Sequence, residues 1–187
     1  MIRGMKSLGI IAEFNPFHQG HQYLIDKAME ETGSDVCVAV MSGNFTQRGI
    51  PAVQDKWTRA EAAVKQGVNL VVELPVVFSC SSAEYFARGG VDILEGFGCI
   101  DRIAFGSESG DIGELRRAAD FLLRFDREIH QKVQALVKAG EVYPKARQRA
   151  VEQIGGDFDL SALREPNNIL AVEYLKRLRR IEPYTTR

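Results

Sequence analysis

Four short apolar runs bounded by polar residues punctuate the first hundred or so positions: Lys6–Ala12, Asp35–Met41, Asn69–Leu74 and Arg102–Phe105. Each has the length of a strand, and their near-continuous Val, Ile, Leu and Ala content is the pattern of strands covered on both faces. Between the first two, His21, Leu24, Ile25, Ala28 and Met29 recur at i, i+3, i+4, i+7 and i+8, one face of a helix that stops near Gly33. Asp55 is placed to N-cap a second helix through Lys65 with Gly67 as its stop, and a third covers Ala83–Leu94, weakened by Gly89-Gly90. Trp57 falls with Ala60 and Val64 on the apolar side of the second helix, which predicts a core position and not a base-stacking platform. Strands alternating with helices predict a doubly wound α/β domain with a parallel sheet. Ligands of such sheets bind at the carboxyl ends of the strands, beside the point where strand order reverses.

The last third reads differently. Asp111–Gly113–Glu114 has capping-box spacing, and helical patterning continues from there to Ala139, followed by helices over Tyr143–Ile154 and Asn168–Arg180. No repeat or low-complexity linker intervenes. Residues 1–111 are therefore expected to form the α/β core, and residues 112–187 a helical extension packed on it as one structural unit.

Composition adds few constraints and removes several classes. With 45% hydrophobic and 26% charged residues, the chain is ordinary for a globular protein, which excludes disordered, collagen-like and coiled-coil classes. No apolar run approaches the ~20 residues of a bilayer span, and Leu8–Ala12 stops at Glu13, too short for a signal peptide, so the expectation is a cytoplasmic protein without a membrane partner. Three cysteines, Cys37, Cys80 and Cys99, form no CxxC pair and are read as reduced thiols. Charge is uneven: residues 1–111 hold nine Lys and Arg against fourteen Asp and Glu, and residues 112–187 hold fifteen against eleven. The basic residues gather at Arg116-Arg117, Lys145–Arg149 and Lys176–Arg180, either solvated helix faces or a surface for a polyanion.

The most informative stretch follows the first strand: Glu13-Phe14-Asn15-Pro16-Phe17-His18-Gln19-Gly20-His21, directly before an amphipathic helix. Two imidazoles three residues apart at a helix N-terminus face the same way, where free amides and the helix dipole favour an anion. Gly20 removes a side chain where backbone would approach a phosphate. The arrangement suits a nucleoside triphosphate, the imidazoles donating hydrogen bonds to charge developing on the α-phosphate as pyrophosphate leaves. On this reading the histidines serve chemistry and contribute little to folding; the competing reading is a pair of capping or core histidines. No HExxH, GxGxxG or GxxxxGK[ST] pattern is present, and His130 is remote, so no metal ligand set, nicotinamide site or conventional P-loop is expected. After the second strand, Ser42–Gly49 forms a polar loop whose Arg48 can make bidentate contacts to phosphate oxygens; Lys56 is a weaker candidate, and Glu73 at the end of the third strand is read as capping backbone amides.

The His-x-Gly-His turn resembles the signature of a nucleotidyltransferase superfamily with a Rossmann-like fold. The segments GIIAEFNPFHQGH, MSGNFTQRGIPAVQDKWTRAEAA, GVNLVVELPVVFS, FARGGVDIL, FGSESGD and EPNNILAVEYLKRL, in that order, are together similar to the tRNA(Met) cytidine acetate ligase family. The resemblance implies a two-step reaction. ATP and acetate give acetyl-adenylate and pyrophosphate, and the acetyl group passes to the exocyclic amine of the wobble cytidine of elongator tRNA(Met), giving N4-acetylcytidine.

It also implies an ATP site, with Mg2+ accompanying the nucleotide. The site would take in Ile11, Ala12 and Glu13 at the strand end, the turn Phe14, Asn15, Pro16, Phe17, His18, Gln19, Gly20 and His21, and the helix start Gln22, Tyr23 and Leu24. Gly106 would lie against the adenine, with Asn167 or Asn168 and Arg187 completing the site; Asn168 is also placed to N-cap the last helix. His18, His21 and Arg48 are the catalytic candidates, and Lys176, Arg177, Arg179 and Arg180 the candidate tRNA surface. Two departures from the pattern stand out. FGSESGD carries acidic residues where the superfamily often has a basic phosphate-binding turn, and family members continue past the position of Arg187, so the chain is expected to be an N-terminal part. Two alternatives stay open: a nucleotidyltransferase for a phosphorylated metabolite, and a nucleotide- or RNA-binding fragment without catalysis.

Overall fold

The computed structural model describes residues 4–185, with side chains through residue 181. The chain divides into two compact units, Met1–Gly106 and Ser107–Arg187.

The first unit is an α/β body. Four parallel strands, β1 (Ser7–Ala12), β2 (Val36–Ser42), β3 (Leu70–Leu74) and β4 (Arg102–Ala104), lie in the order β3-β2-β1-β4. Helices α1 (Gln19–Thr32) and α2 (Lys56–Lys65) connect β1 to β2 and β2 to β3, both moving the chain outward in one direction. The one-turn α3 (Val76–Ser79) and then α4 (Ala83–Gly96) return it past β1 to β4. With right-handed crossovers, that reversal puts α1 and α2 on one face and α4 on the other, which is the doubly wound arrangement.

Side-chain alternation in β1 confirms the two faces. Leu8, Ile10 and Ala12, with Cys37, Ala39 and Met41 opposite them, form a cluster with Ile25 of α1 and Ala63 of α2. The intervening positions meet α4: a Cβ at Gly90 would stand 2.7 Å from Ile11, and one at Gly9 would stand 2.8 Å from Leu94. Gly90 thus lets the helix lie close on β1, a packing role for the glycines that weaken the helical pattern.

Helix α1 ends where expected, at Gly33 in the left-handed conformation (φ 59°). Asp55 caps α2 through the amides of Trp57 and Thr58. The inner face of α2 differs from the expected one, however: Arg59 and Ala63 are buried, while Trp57 is 75% and Val64 50% exposed. The stripe at Lys56, Arg59, Ala60 and Ala63 points inward because the Arg59 guanidinium reaches the strand ends, which rotates Trp57 out to solvent.

The second unit is helical: α5 (Ile112–Arg124), α6 (Asp126–Lys138), α7 (Tyr143–Gly155) and α8 (Pro166–Thr185), with α5 packed on α8 and α6 on α7. The continuous helix expected from 111 to 139 breaks at Phe125 (φ −103°, ψ 17°), with Arg124 closing one helix and Asp126 opening the next. Each charge suits its helix dipole. Among the described residues no helix is long and apolar enough to cross a membrane.

Candidate active site

Strand order reverses at β1, which has β2 on one side and β4 on the other. The carboxyl ends of β1 and β4 therefore flank the crevice where such sheets bind ligands. Two positions beyond the paired residues Ile10 and Ala104 stand Ala12 and Gly106, so the histidine turn and Gly106 leave the sheet side by side. A Cβ at Gly106 would meet nothing within 4 Å outside its chain neighbours, and its φ lies outside the left-handed region. Neither crowding nor conformation calls for glycine there; the position opens onto free space.

The turn itself is built on a buried aromatic anchor. Phe14 is 2% exposed at φ 48°, a left-handed conformation that costs a non-glycine residue about 1–2 kcal/mol. Its ring is held against Phe17 at 5.0 Å and edge-on to His21 at 5.1 Å, which keeps the backbone in place. The Asn15-Pro16 peptide is cis. Asn15 Oδ1 accepts from Val53 N–H at 2.7 Å and Glu13 Oε1 from Gln47 N–H at 2.6 Å, so both side chains are occupied in holding the loop after β2.

His18 and His21 form a capping box. Gly20 N–H donates to His18 Nδ1 at 3.1 Å, and His18 N–H donates to His21 Nδ1 at 3.3 Å. The rings stack at 3.8 Å with 25° between planes. A backbone amide can only donate, so both Nδ1 atoms present lone pairs and both neutral rings carry their proton on Nε2. Burial and the neighbouring His18 hold His21 down at about 4, so it is neutral at physiological pH. The histidines thus cap the helix and keep two Nε2–H donors; the expectation that they contribute little to folding is corrected.

Helix α1 has no acidic residue in its first turn, a feature it shares with α7, and its cap is the histidine pair instead of a carboxylate. Carboxylates serve three other helix starts: Asp55 at α2, Asp111 at α5, and Glu108 at α8, where it accepts from Asn167 N–H at 3.0 Å and Asn168 N–H at 2.8 Å. Burial pushes the Glu108 carboxyl up, but these amides outweigh it and leave it below its ordinary range. Asn168 is 3% exposed and answers Glu108: its Oδ1 accepts from Glu108 N–H at 2.9 Å and Ser109 N–H at 3.3 Å. Asn168 is therefore not the N-cap of the last helix, which begins at Pro166, and its side-chain oxygen is committed to the loop after Gly106.

Further along the switch-point turn, Gln22 Nε2 donates to Asp26 and to Gln66 O, while Tyr23 is 69% exposed and Leu24 half-buried. Arg48 stands exposed in the loop after β2, and no bond partner for it is found among the described residues. Lys56 is paired with Glu73 at 2.6 Å, which gives that carboxylate a cation and not the expected backbone amides. Arg187 lies outside the described residues.

The basic cluster of α8 is largely spoken for within its own unit. Lys176 is 4% exposed and bonds Glu173 at 2.8 Å, with Arg147 on the other oxygen at 2.5 Å, so it does not present charge to a nucleic acid. Arg179 faces Asp120 at 3.4 Å and Arg180 faces Asp126 at 2.9 Å. Arg177 is half-buried and also has a partner.

One residue at the strand ends escaped sequence reasoning. Arg59 is fully buried and donates to the carbonyls of Glu13 (2.5 Å), Ser42 (3.2 Å), Gly43 and Gln54 (3.0 Å). Burial lowers its pKa while Glu13, Asp55 and Glu73 oppose the shift. It pins the exits of β1 and β2 together below the loops that carry the candidate residues. Among the described residues no group of three His, Cys, Asp or Glu side chains is arranged to hold a metal ion.

Known proteins share this architecture. A tRNA(Met) cytidine acetate ligase of Caldanaerobacter subterraneus is 48% identical over 95% of this chain and 45% of its own length, and one of Syntrophotalea carbinolica is 45% identical over 97% and 44%. The chain spans under half the length of these curated relatives. The crystal structure of Thermotoga maritima TmcAL bound with alpha-thio ATP superposes with a TM-score of 0.85 at 42% identity, covering 95% of this chain and 44% of that one. Its apo form gives 0.83 at the same identity. A family model described as HIGH Nucleotidyl Transferase matches residues 5–186, and on a match of that extent this chain belongs to the HIGH nucleotidyltransferase family.

Proposed function

We propose that this chain is the nucleotide-activating part of an ATP-dependent acetate ligase acting on elongator tRNA(Met). A carboxylate oxygen of acetate attacks the α-phosphorus of ATP, the bond to the β-phosphate breaks, and pyrophosphate leaves. The exocyclic amine of the wobble cytidine then attacks the acetyl carbon, AMP departs, and loss of the amine proton leaves N4-acetylcytidine. The acetate and tRNA parts of this reading rest on what the relatives are named for; ATP rests in addition on the nucleotide analogue held by the Thermotoga protein.

One observation carries the chemistry. At the switch point, α1 begins on neutral imidazoles, where α2, α5 and α8 begin on a carboxylate. Its amides and the two Nε2–H groups form a donor set without a counter-charge, suited to the α-phosphate as negative charge builds on its oxygens. Proton transfer is not needed from a pair that is already neutral and donating. Arg48, exposed in the loop after β2, supplies a cation for the phosphates. Mg2+, where it accompanies ATP, would be held mainly by phosphate oxygens and water and would offset their charge.

Acetate-dependent exchange of pyrophosphate into ATP, followed by transfer of labelled acetate to tRNA, tests the reading. Exchange that ignores acetate and responds to a phosphorylated metabolite would replace it with the alternative activity of the same fold. ATP binding without any exchange would leave a binding module.

A further inference from the structure

The single tryptophan lies where a structural role is hard to assign. Trp57 sits in the first turn of α2 at 75% exposure, which forfeits most of the burial an indole normally gains. Its surroundings are specific. Lys56 Nζ lies 5.4 Å from the ring centroid and is held there by its ion pair with Glu73, so one ring face is covered by a cation. Phe45 (43% exposed) and Val53 (76%) lie in the loop leading into α2, which also carries the exposed Arg48, without a bond partner among the described residues. That loop closes on itself through the Phe45–Pro51 bridge and is tied to α2 by Lys56 N–H on Asn44 Oδ1 at 3.0 Å. It is tied to the histidine turn by Asn15 and Glu13. The exposed rings therefore stand at the same sheet edge as the candidate phosphate site, one hydrogen-bonded loop away.

We propose that Trp57, with Phe45, is a stacking platform for an unpaired base of the RNA acceptor, the base lying on the indole face that Lys56 leaves open, and that Arg48 meets a phosphate flanking that base. This inference rests on the reading that RNA receives the acyl group. Cations interleaved with exposed aromatics match a strand that offers a π face and a phosphate at each nucleotide, whereas the cores of protein interfaces are depleted in Lys. An amine on a base reaches an acyl-adenylate only if its nucleotide is splayed out of a stack, and a neighbouring aromatic gives the displaced bases a surface.

Because Trp57 is the only tryptophan, its emission reports directly on the platform. Titrating the full chain with a short hairpin RNA bearing an unpaired loop should quench that emission, while the same sequence closed into a duplex should not. Trp57→Ala should weaken loop-RNA binding roughly 5- to 150-fold by anisotropy of labelled RNA, and Trp57→Phe should keep most of the affinity. Loop RNA that binds with the emission unchanged, or binds the Ala variant equally well, overturns the platform and leaves the RNA reading standing. No binding of any RNA overturns both. Emission that changes with protein concentration alone means that a second copy covers the ring, which also overturns the proposal.

Discussion

Replacing Arg59 tests whether the strand ends are held from within. The guanidinium is fully buried and serves four carbonyls, of which those of Ser42 and Gly43 are themselves buried at the exit of β2. Arg59→Met keeps the length of the stem and removes every donor. Two buried acceptors left without partners cost about 1–3 kcal/mol each, and relief from burying a charge offsets part of this, so the net loss is about 3 kcal/mol. Arg59→Lys retains one point charge able to reach one or two of the carbonyls, and about half the loss is expected. Urea denaturation followed by far-UV circular dichroism measures both, since Trp57 is too exposed to report on the core. The Glu13 carbonyl lies at the base of the histidine turn, so KM for ATP should rise in the order wild type, Lys, Met. A Met variant within about 0.5 kcal/mol of wild type would show that water replaces the guanidinium and would refute the clamp.

Three further outcomes follow from the site. His21→Ala loses a capping bond and the ring contacts with Phe14, Phe17 and His18, so it should cost about 1–2 kcal/mol by denaturant titration, and it should slow acetate-dependent exchange about 10²- to 10³-fold. With His21 lowered from 6.5 to about 4, the unfolded chain binds the proton first; stability is complete above pH 6.5 and falls as pH drops from 6.5 toward 4, by about 1 kcal/mol once solvent screening of this half-exposed ring is allowed for. A thermal-melt series that shows the opposite slope in this window would contradict the assigned neutral state. Gly106→Val should abolish ATP binding by calorimetry without lowering the melting temperature, because the added side chain enters open space; unchanged affinity would remove Gly106 from the nucleotide site. Replacing Arg179 and Arg180 together with Ala should leave the salt dependence of RNA binding unchanged, since Asp120 and Asp126 already balance them; a flattened slope in filter binding would return α8 to the RNA surface.

What the sequence disclosed divides along physical lines. The four strands, α1 with its Gly33 stop and the Asp55 cap were legible because apolar runs and cap chemistry are local signals. The face of α2 was not, because periodicity counts Arg as outward and Arg59 instead spends its charge on backbone carbonyls inside. Trp57 was placed wrongly for the same reason, as it shares a helix with a residue that outranks it for the interior. Lys176 looked like surface charge until Glu173, one turn before it, and Arg147 of another helix were seen to enclose it. The break at Phe125 has no glycine or proline to announce it; only the change from Arg124 to Asp126 carried a hint. The histidine turn was recognised from its spacing, whereas the direction of its protons needed the amide geometry.

The clasp between Glu108 and Asn168 gives the acidic loop after Gly106 a structural role. Helix α8 carries its own permanent counter-ion, a carboxylate covalently attached and held by two amides, against which any diffusing anion would have to compete. The positive end of α1 has no such tenant. On the proposed reading one helix terminus is thus closed to phosphate by its own carboxylate while another is left open, so the distribution of acidic side chains, and not only that of basic ones, selects the place for a triphosphate.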